Sequence, residues 1–218
     1  MTTINIAVNA VSLITGTAAI TYVATGESLD WTAVRVWDQF YKNLLSIEDL
    51  ETNDENWVLW AERWVSLVHN TYDSTNTTIE LKLKTDYWKN QVIKADSNNK
   101  LKEGSRSTLE NKKTWAKDTA QRKELLESVK KLQDECKWAY GRYINRSINW
   151  DRSWFKSLSR RATGEDKKDT DEENYKYWSD VYLACSKSGS VSELPIAWLT
   201  EKNIELYKQH YVPEQKTE

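Results

Sequence analysis

Residues 56–68 read Asn56-Trp-Val-Leu-Trp-Ala-Glu-Arg-Trp-Val-Ser-Leu-Val68, and the spacing of the large side chains in this stretch decides the fold class. Trp57, Trp60, Trp64, Leu67 and Val68 recur three or four residues apart, which stacks them on one face of a helix, with Glu62, Arg63 and Ser66 turned away. Thr52-Asn-Asp-Glu55 just ahead has the form of a capping box, in which Thr52 covers the first free amides and Glu55 reaches back. The same periodicity recurs along the chain. Trp31, Val34, Trp37, Tyr41 and Leu44/Leu45 form a face opposite Asp30, Arg35, Asp38 and Lys42, in a helix opening at Ser28. Leu125, Val129, Leu132, Cys136, Ala139 and Tyr143 step by four and three like a heptad seam, on a helix expected from Thr108 to about Arg146 behind a second capping box, Ser107-Thr-Leu-Glu110.

Composition agrees. The 218 residues include 6 Gly and 2 Pro, against the roughly 15 and 11 of average usage, so tight β-turns are in short supply. The expectation is an all-α, elongated helical bundle of about five to seven helices. Asn70 to Thr78 is the clearest turn of the first half. Residues 79–95 mix a strand-like Ile79-Glu-Leu-Lys-Leu-Lys84 with a helical continuation and are expected to form a helix. A subdomain break is expected near the polar stretch 96–107, within a helical domain spanning 27–218. Trp150 to Arg161 forms a short helix, Thr163 to Asp171 a charged loop, Asp171 to about Lys187 a helix stopped by Gly189, and Thr200 to Tyr211 the last helix.

The N-terminal segment 1–26 stands apart. Thr2 to Gly26 carries no charged side chain, and three readings stay open: a membrane anchor diluted by Asn5, Asn9, Ser12 and several threonines; a secretory signal with an apolar stretch over 10–24 and a small-residue site at Ala24-Thr25-Gly26; or a buried element of a soluble core. The first two place the rest of the chain on the extracellular face, and the third makes the protein cytoplasmic.

A net charge of −2 creates no global field for nucleic acid or anionic membrane, so no nucleic-acid partner is expected, and membrane contact is expected only through residues 1–26. The two histidines, His69 and His210, have no companions at metal-ligand spacing, and the six glycines assemble no phosphate loop, so neither a metal nor a cofactor is expected. Glu62 is flanked by tryptophans, as acids in sugar clefts are, but points away from their stripe. No catalytic residue is assigned. Arg152, Lys156, Arg160 and Arg161 form a basic patch, read either as an anion-binding face or as a partner for the acidic residues of 27–64. Cys136 and Cys185 are either buried thiols or, in an exported chain, a disulfide between two helices.

Twelve Trp and 11 Tyr stand against 2 Phe and one Met. Such side chains fill space from few positions and suit half-buried sites where the polar edge meets water. The Trp57, Trp60, Trp64 stripe is core if a neighbour, the Trp31–Trp37 helix, covers it, and a partner-binding face if not. Trp88 and Trp198 lie outside any strong periodicity, which makes them the better candidates for display to a protein partner or a sugar.

The layout of an uncharged N-terminal segment, Thr15-Gly-Thr-Ala-Ala-Ile-Thr-Tyr-Val-Ala-Thr-Gly26, followed by Trp-rich polar helices and then Tyr177-Trp-Ser-Asp-Val-Tyr-Leu-Ala-Cys-Ser-Lys-Ser-Gly-Ser-Val-Ser-Glu-Leu-Pro195, resembles the short paralogous proteins of haemotropic mycoplasmas. The likeness covers the two ends and the general texture. Where those proteins carry Trp-Cys, this chain has Ala184-Cys185. The resemblance implies an exported or membrane-anchored, antigen-like surface protein with an unidentified protein or host-surface partner. The tryptophan-rich antigens of malaria parasites are similar to a lesser degree, being denser in Lys and in paired tryptophans.

Overall fold

The computed structural model describes residues 35–73, 77–94, 101, 107–142, 166–195, 198 and 205–207. Of these, 73% are helical and none lies in a sheet, so the protein is all-α. Five α-helices are described: α1 (Val36–Phe40), α2 (Asp54–Tyr72), α3 (Leu109–Lys117), α4 (Arg122–Tyr140) and α5 (Asp166–Cys185), with short 3₁₀ and π turns between them.

α2 contains the opening stretch whole. Its cap is Asn53 rather than Thr52: the Asn53 side chain accepts from the Asn56 amide at 2.9 Å. Thr52 is held one step earlier, because the Asp49 carboxylate takes the amides of Glu51 and Thr52 and the Thr52 hydroxyl. The second box shifts likewise, Thr108 capping α3 by accepting from Asn111. Asp54 and Glu55 in the first turn of α2 complement its dipole.

The single long helix expected over 108–146 is two helices. Asp118 leaves helical geometry (φ −58°, ψ 125°) and accepts from the Ala120 amide, so it ends α3 and opens the 3₁₀ turn that leads into α4. An Asp competes for backbone amides in this way where the alternative is a helix interior. The seam on α4 is as expected over its described part: Leu125, Val129, Leu132, Cys136 and Ala139 are all fully buried. α5 begins earlier than expected, at Asp166, inside what reads as a charged loop. It ends at Cys185, and Gly189 beyond it takes φ +67°.

The first helix departs most from its pattern. α1 is a single short helix, and its buried residues are Val36 and Phe40, not Trp37 and Tyr41, which stay 38% and 37% exposed. Trp31 and Val34 lie outside the described residues. After a 3₁₀ turn the backbone becomes extended at Leu44 and pairs with the residues just beyond α5: Leu45 donates to the Cys185 carbonyl at 2.9 Å and Lys187 to the Asn43 carbonyl at 2.7 Å. Tying the chain down there rotates the preceding turn and swaps which residues face inward. α1 packs chiefly on α4, whereas α2 is covered by α3, α4 and α5. The Trp57–Trp64 stripe is therefore enclosed by helices other than the one expected.

α5 is the central element. From Tyr177 to Ser186 every residue is buried, so this segment meets protein on all sides rather than along one stripe. Cys136 on α4 and Cys185 at its end form a disulfide with Cα atoms 5.7 Å apart. The Tyr140 hydroxyl lies 3.0 Å from the carbonyls of both Leu45 and Cys185. One hydrophobic cluster draws on residues on both sides of 96–107, including Leu101. The expected helix at 150–161 lies outside the described residues, and of the last expected helix only 205–207 is described.

The bond closes a loop across a sequence separation of 49 residues, for which the chain-entropy relation gives about 4 kcal/mol of stabilisation. Replacing both cysteines by alanine should lower the urea midpoint of unfolding with a loss near that size; a loss under about 1 kcal/mol would show that the packed helix ends need no covalent tie.

Candidate functional site

The five tryptophans singled out by sequence are all inside the protein. Trp57, Trp60, Trp64 and Trp88 are fully buried and Trp198 nearly so. Trp60 donates its indole N–H to the Ser46 carbonyl at 2.6 Å, and the Arg122 guanidinium lies 5.4 Å from the Trp57 ring centroid while bonded to Asp54. For Trp88 and Trp198 the expectation of display is corrected. Irregular backbone does not mean exposure here: Trp88 opens a π turn that points its ring at Tyr177, 6.1 Å between centroids, and a turn at Pro195 swings Trp198 inward, where it donates to the Trp178 carbonyl and packs 4.8 Å from Phe40. The idea that indoles sit with a wet edge is also overturned for part of the set. The N–H groups of Trp57, Trp64, Trp88 and Trp178 are buried with no hydrogen-bond partner among the described residues. Each such orphan costs about 1–3 kcal/mol, which ring burial offsets.

Tyr177 and Glu135 centre a polar network that sequence reading passed over. The Glu135 carboxylate accepts from the Tyr87 and Tyr177 hydroxyls, each at 2.7 Å. Tyr177 also packs edge-on against Trp138 and Trp178. Glu135 lies three residues after Leu132 and four before Ala139, at the edge of the buried face, but a charged residue there reads as solvent-facing, so its burial was missed. Asp180 is a second missed group. It is wholly buried, and accepts from the amides of Lys84 and Thr85 and from the Thr85 hydroxyl at 2.7–2.8 Å, which anchors the 77–94 segment to α5. An acid inside the otherwise apolar run around Trp178 and Val181 was its available signal. Desolvation pushes the Asp180 carboxyl up to about 6 against the pull of those donors, and burial brings the nearby Lys84 down to about 8.

Arg63 does not point to open solvent as the stripe geometry implies. Its guanidinium donates to the Leu183 and Lys187 carbonyls and so caps the last turn of α5, where a cation complements the negative end of the helix. Burial lowers its pKa to about 10, which leaves it charged at neutral pH. Gly189 sits directly against it, and a Cβ there would run into the guanidinium.

Beside Arg63 lies a cleft of about 760 Å³. Leu45, Leu59, Leu67, Leu81, Leu109 and Leu183 supply its apolar lining, and Glu62, Arg63, Lys113 and Lys187 its charges. Glu62 is paired with Lys117 at 2.8 Å, which makes it an ion-pair partner rather than a free carboxylate. His69, at the last turn of α2, has Nδ1 3.0 Å from the Lys112 ammonium and 3.5 Å from Asp73. Burial first, and then Lys112, lowers its pKa, so the neutral ring accepts from Lys112. Among the described residues no group of three or more His, Cys, Asp or Glu is arranged to hold a metal ion, and no helix is long and apolar enough to cross a membrane. Residues 1–26 and the basic patch at Arg152, Lys156, Arg160 and Arg161 lie outside the described residues. Compared with protein-family profiles, curated proteins and solved structures, the chain matches none.

Two outcomes follow. Gly189→Ala should cost about 1–2 kcal/mol from the positive φ alone, and more through Arg63; thermal melts unchanged within error would show that the guanidinium yields freely. For Asp180 the folded pKa of about 6 exceeds the reference value of 3.8. Its contribution is therefore fully present below pH 3.8 and lost as pH rises through 6, on the order of 3 kcal/mol for that difference. Urea unfolding across pH 4–6.5 should show wild type losing stability with rising pH relative to Asp180→Asn; parallel curves would show that the donors hold the pKa down.

Proposed function

We propose that this is a membrane-anchored or exported helical interaction protein, presented on the extracellular face and without catalytic activity. The observation that carries the reading is the disulfide between Cys136 and Cys185. Both sulfurs sit in fully buried residues at the meeting point of α4, α5 and the 43–45 strand-like segment. Disulfides of this structural kind persist in oxidising compartments and are rare where thiols are kept reduced. The uncharged segment 1–26 supplies the route, as anchor or signal, and the likeness to short haemotropic mycoplasma proteins points the same way. The comparisons give no support for a catalytic activity. The sugar-binding alternative rested on displayed Trp88 and Trp198, which are buried, and on Glu62, which is held by Lys117. A partner surface therefore has to be sought away from Trp57, Trp60, Trp64, Trp88 and Trp198.

The test is made on intact cells producing the full chain. Cells are lysed directly into denaturant with a mass-tagged maleimide, with and without prior reduction, and parallel samples receive external protease. The expected result is no thiol tagged before reduction, two tagged after it, and digestion by external protease. Two tagged thiols without reduction, together with full protection from protease, would place the protein in a reducing interior and overturn the proposal.

A further inference from the structure

The cleft beside Arg63 has a composition that the interaction reading does not use. Five separate pieces of chain border it: the 45–46 turn, the outer face of α2, the Leu81 turn, the start of α3, and the stretch from the end of α5 to Gly189. Its apolar lining is entirely leucine. Its charges do not cancel. Glu62 is neutralised by Lys117, and Arg63 is engaged by the carbonyl end of α5. Lys113 and Lys187 are left, and neither ammonium has an ion-pair or hydrogen-bond partner among the described residues. Leu59, at the mouth, is 47% exposed.

An apolar cavity with two uncommitted ammoniums complements a molecule that is apolar along its length and anionic at one end. The volume of about 760 Å³ falls within the range of small-molecule sites, ~300–1,000 Å³. An alkyl chain is thin enough to run between the leucines, and its head reaches the lysines.

We propose that this cleft binds a single-chain fatty acid, its alkyl chain against Leu59, Leu81 and Leu109, which keep accessible surface there, and its carboxylate between Lys113 and Lys187. Each methylene removed from water adds to the affinity, so the chain supplies binding strength and the lysines select the head group. The proposal is independent of where the protein resides.

The test uses the full-length chain and monomeric oleate, read by calorimetry and by displacement of a fluorescent fatty-acid analogue, with oleyl alcohol as the neutral control. Wild type should bind oleate at one site per chain and the alcohol more weakly. The double variant Lys113→Glu, Lys187→Glu alters two groups free of internal ion pairs, so its melt should match wild type, and it should lose roughly tenfold or more in oleate affinity while keeping its affinity for the alcohol. Leu59→Glu, at the exposed mouth, should weaken both ligands. Failure of wild type to bind oleate, equal binding of acid and alcohol, or undiminished oleate binding by the folded lysine variant would each overturn the proposal.

Discussion

Everything else in this protein hangs on the junction where Cys136, Cys185, Tyr140 and Leu45 meet. α5 is buried on all sides over its last turns, so its end has to be terminated inside the protein, where free carbonyls are expensive. Four different groups share that task. The amide of Leu45 takes the Cys185 carbonyl, the Tyr140 hydroxyl adds to it, Arg63 covers Leu183 and Lys187, and the disulfide fixes the end of the helix to α4. Burial raises the pKa of Tyr140, so its hydroxyl stays protonated. The short α1, the extended turn at Leu44 and the left-handed Gly189 are all consequences of closing this one end.

The second constraint is the bulk of the aromatic rings in the core. Polar helices such as these offer few inward positions, and the indoles of Trp57, Trp60, Trp64, Trp88, Trp178 and Trp198 pack there among buried leucines and valines. The structure accepts unsatisfied N–H groups at four tryptophans as the cost of that volume. It spends its good polar geometry instead on the groups that order the elements: Glu135 with two tyrosines, and Asp180 with the 84–85 backbone.

Periodicity made the helices legible and failed at their boundaries. The stripe on α2 and the seam on α4 read correctly because each residue there repeats the same relation to a neighbour, and the repeat averages out local exceptions. Caps do not repeat. Whether Thr52 or Asn53 starts α2 depends on Asp49, which competes for the Thr52 amide and hydroxyl, and a pattern match to a capping box carries no information about a competitor. Asp118 is the same failure on a larger scale, one side chain dividing an otherwise continuous run. Trp37 and Trp198 were misplaced because their burial is set by long-range backbone pairing with the end of α5 and by the Pro195 turn. Arg63 lies opposite the tryptophans, as its spacing implies, but α5 ends beside it, so its guanidinium meets the Leu183 and Lys187 carbonyls instead of solvent.

Glu135 and Cys136 are neighbours on α4, yet they reach Tyr177 and Cys185, eight residues apart on α5. At 1.5 Å per residue those two anchor points are about 12 Å apart along the α5 axis. A single link would let one helix pivot about it. Two links that diverge from nearly one origin to well-separated points remove both the pivot and the slide, because a slip of one turn, about 5.4 Å, would strand the carboxylate away from its tyrosine while the sulfurs stayed bonded. The register between these helices is thus set by triangulation. An aromatic core with many similar rings and little shape to tell one packing from the next is given a single address for each of them.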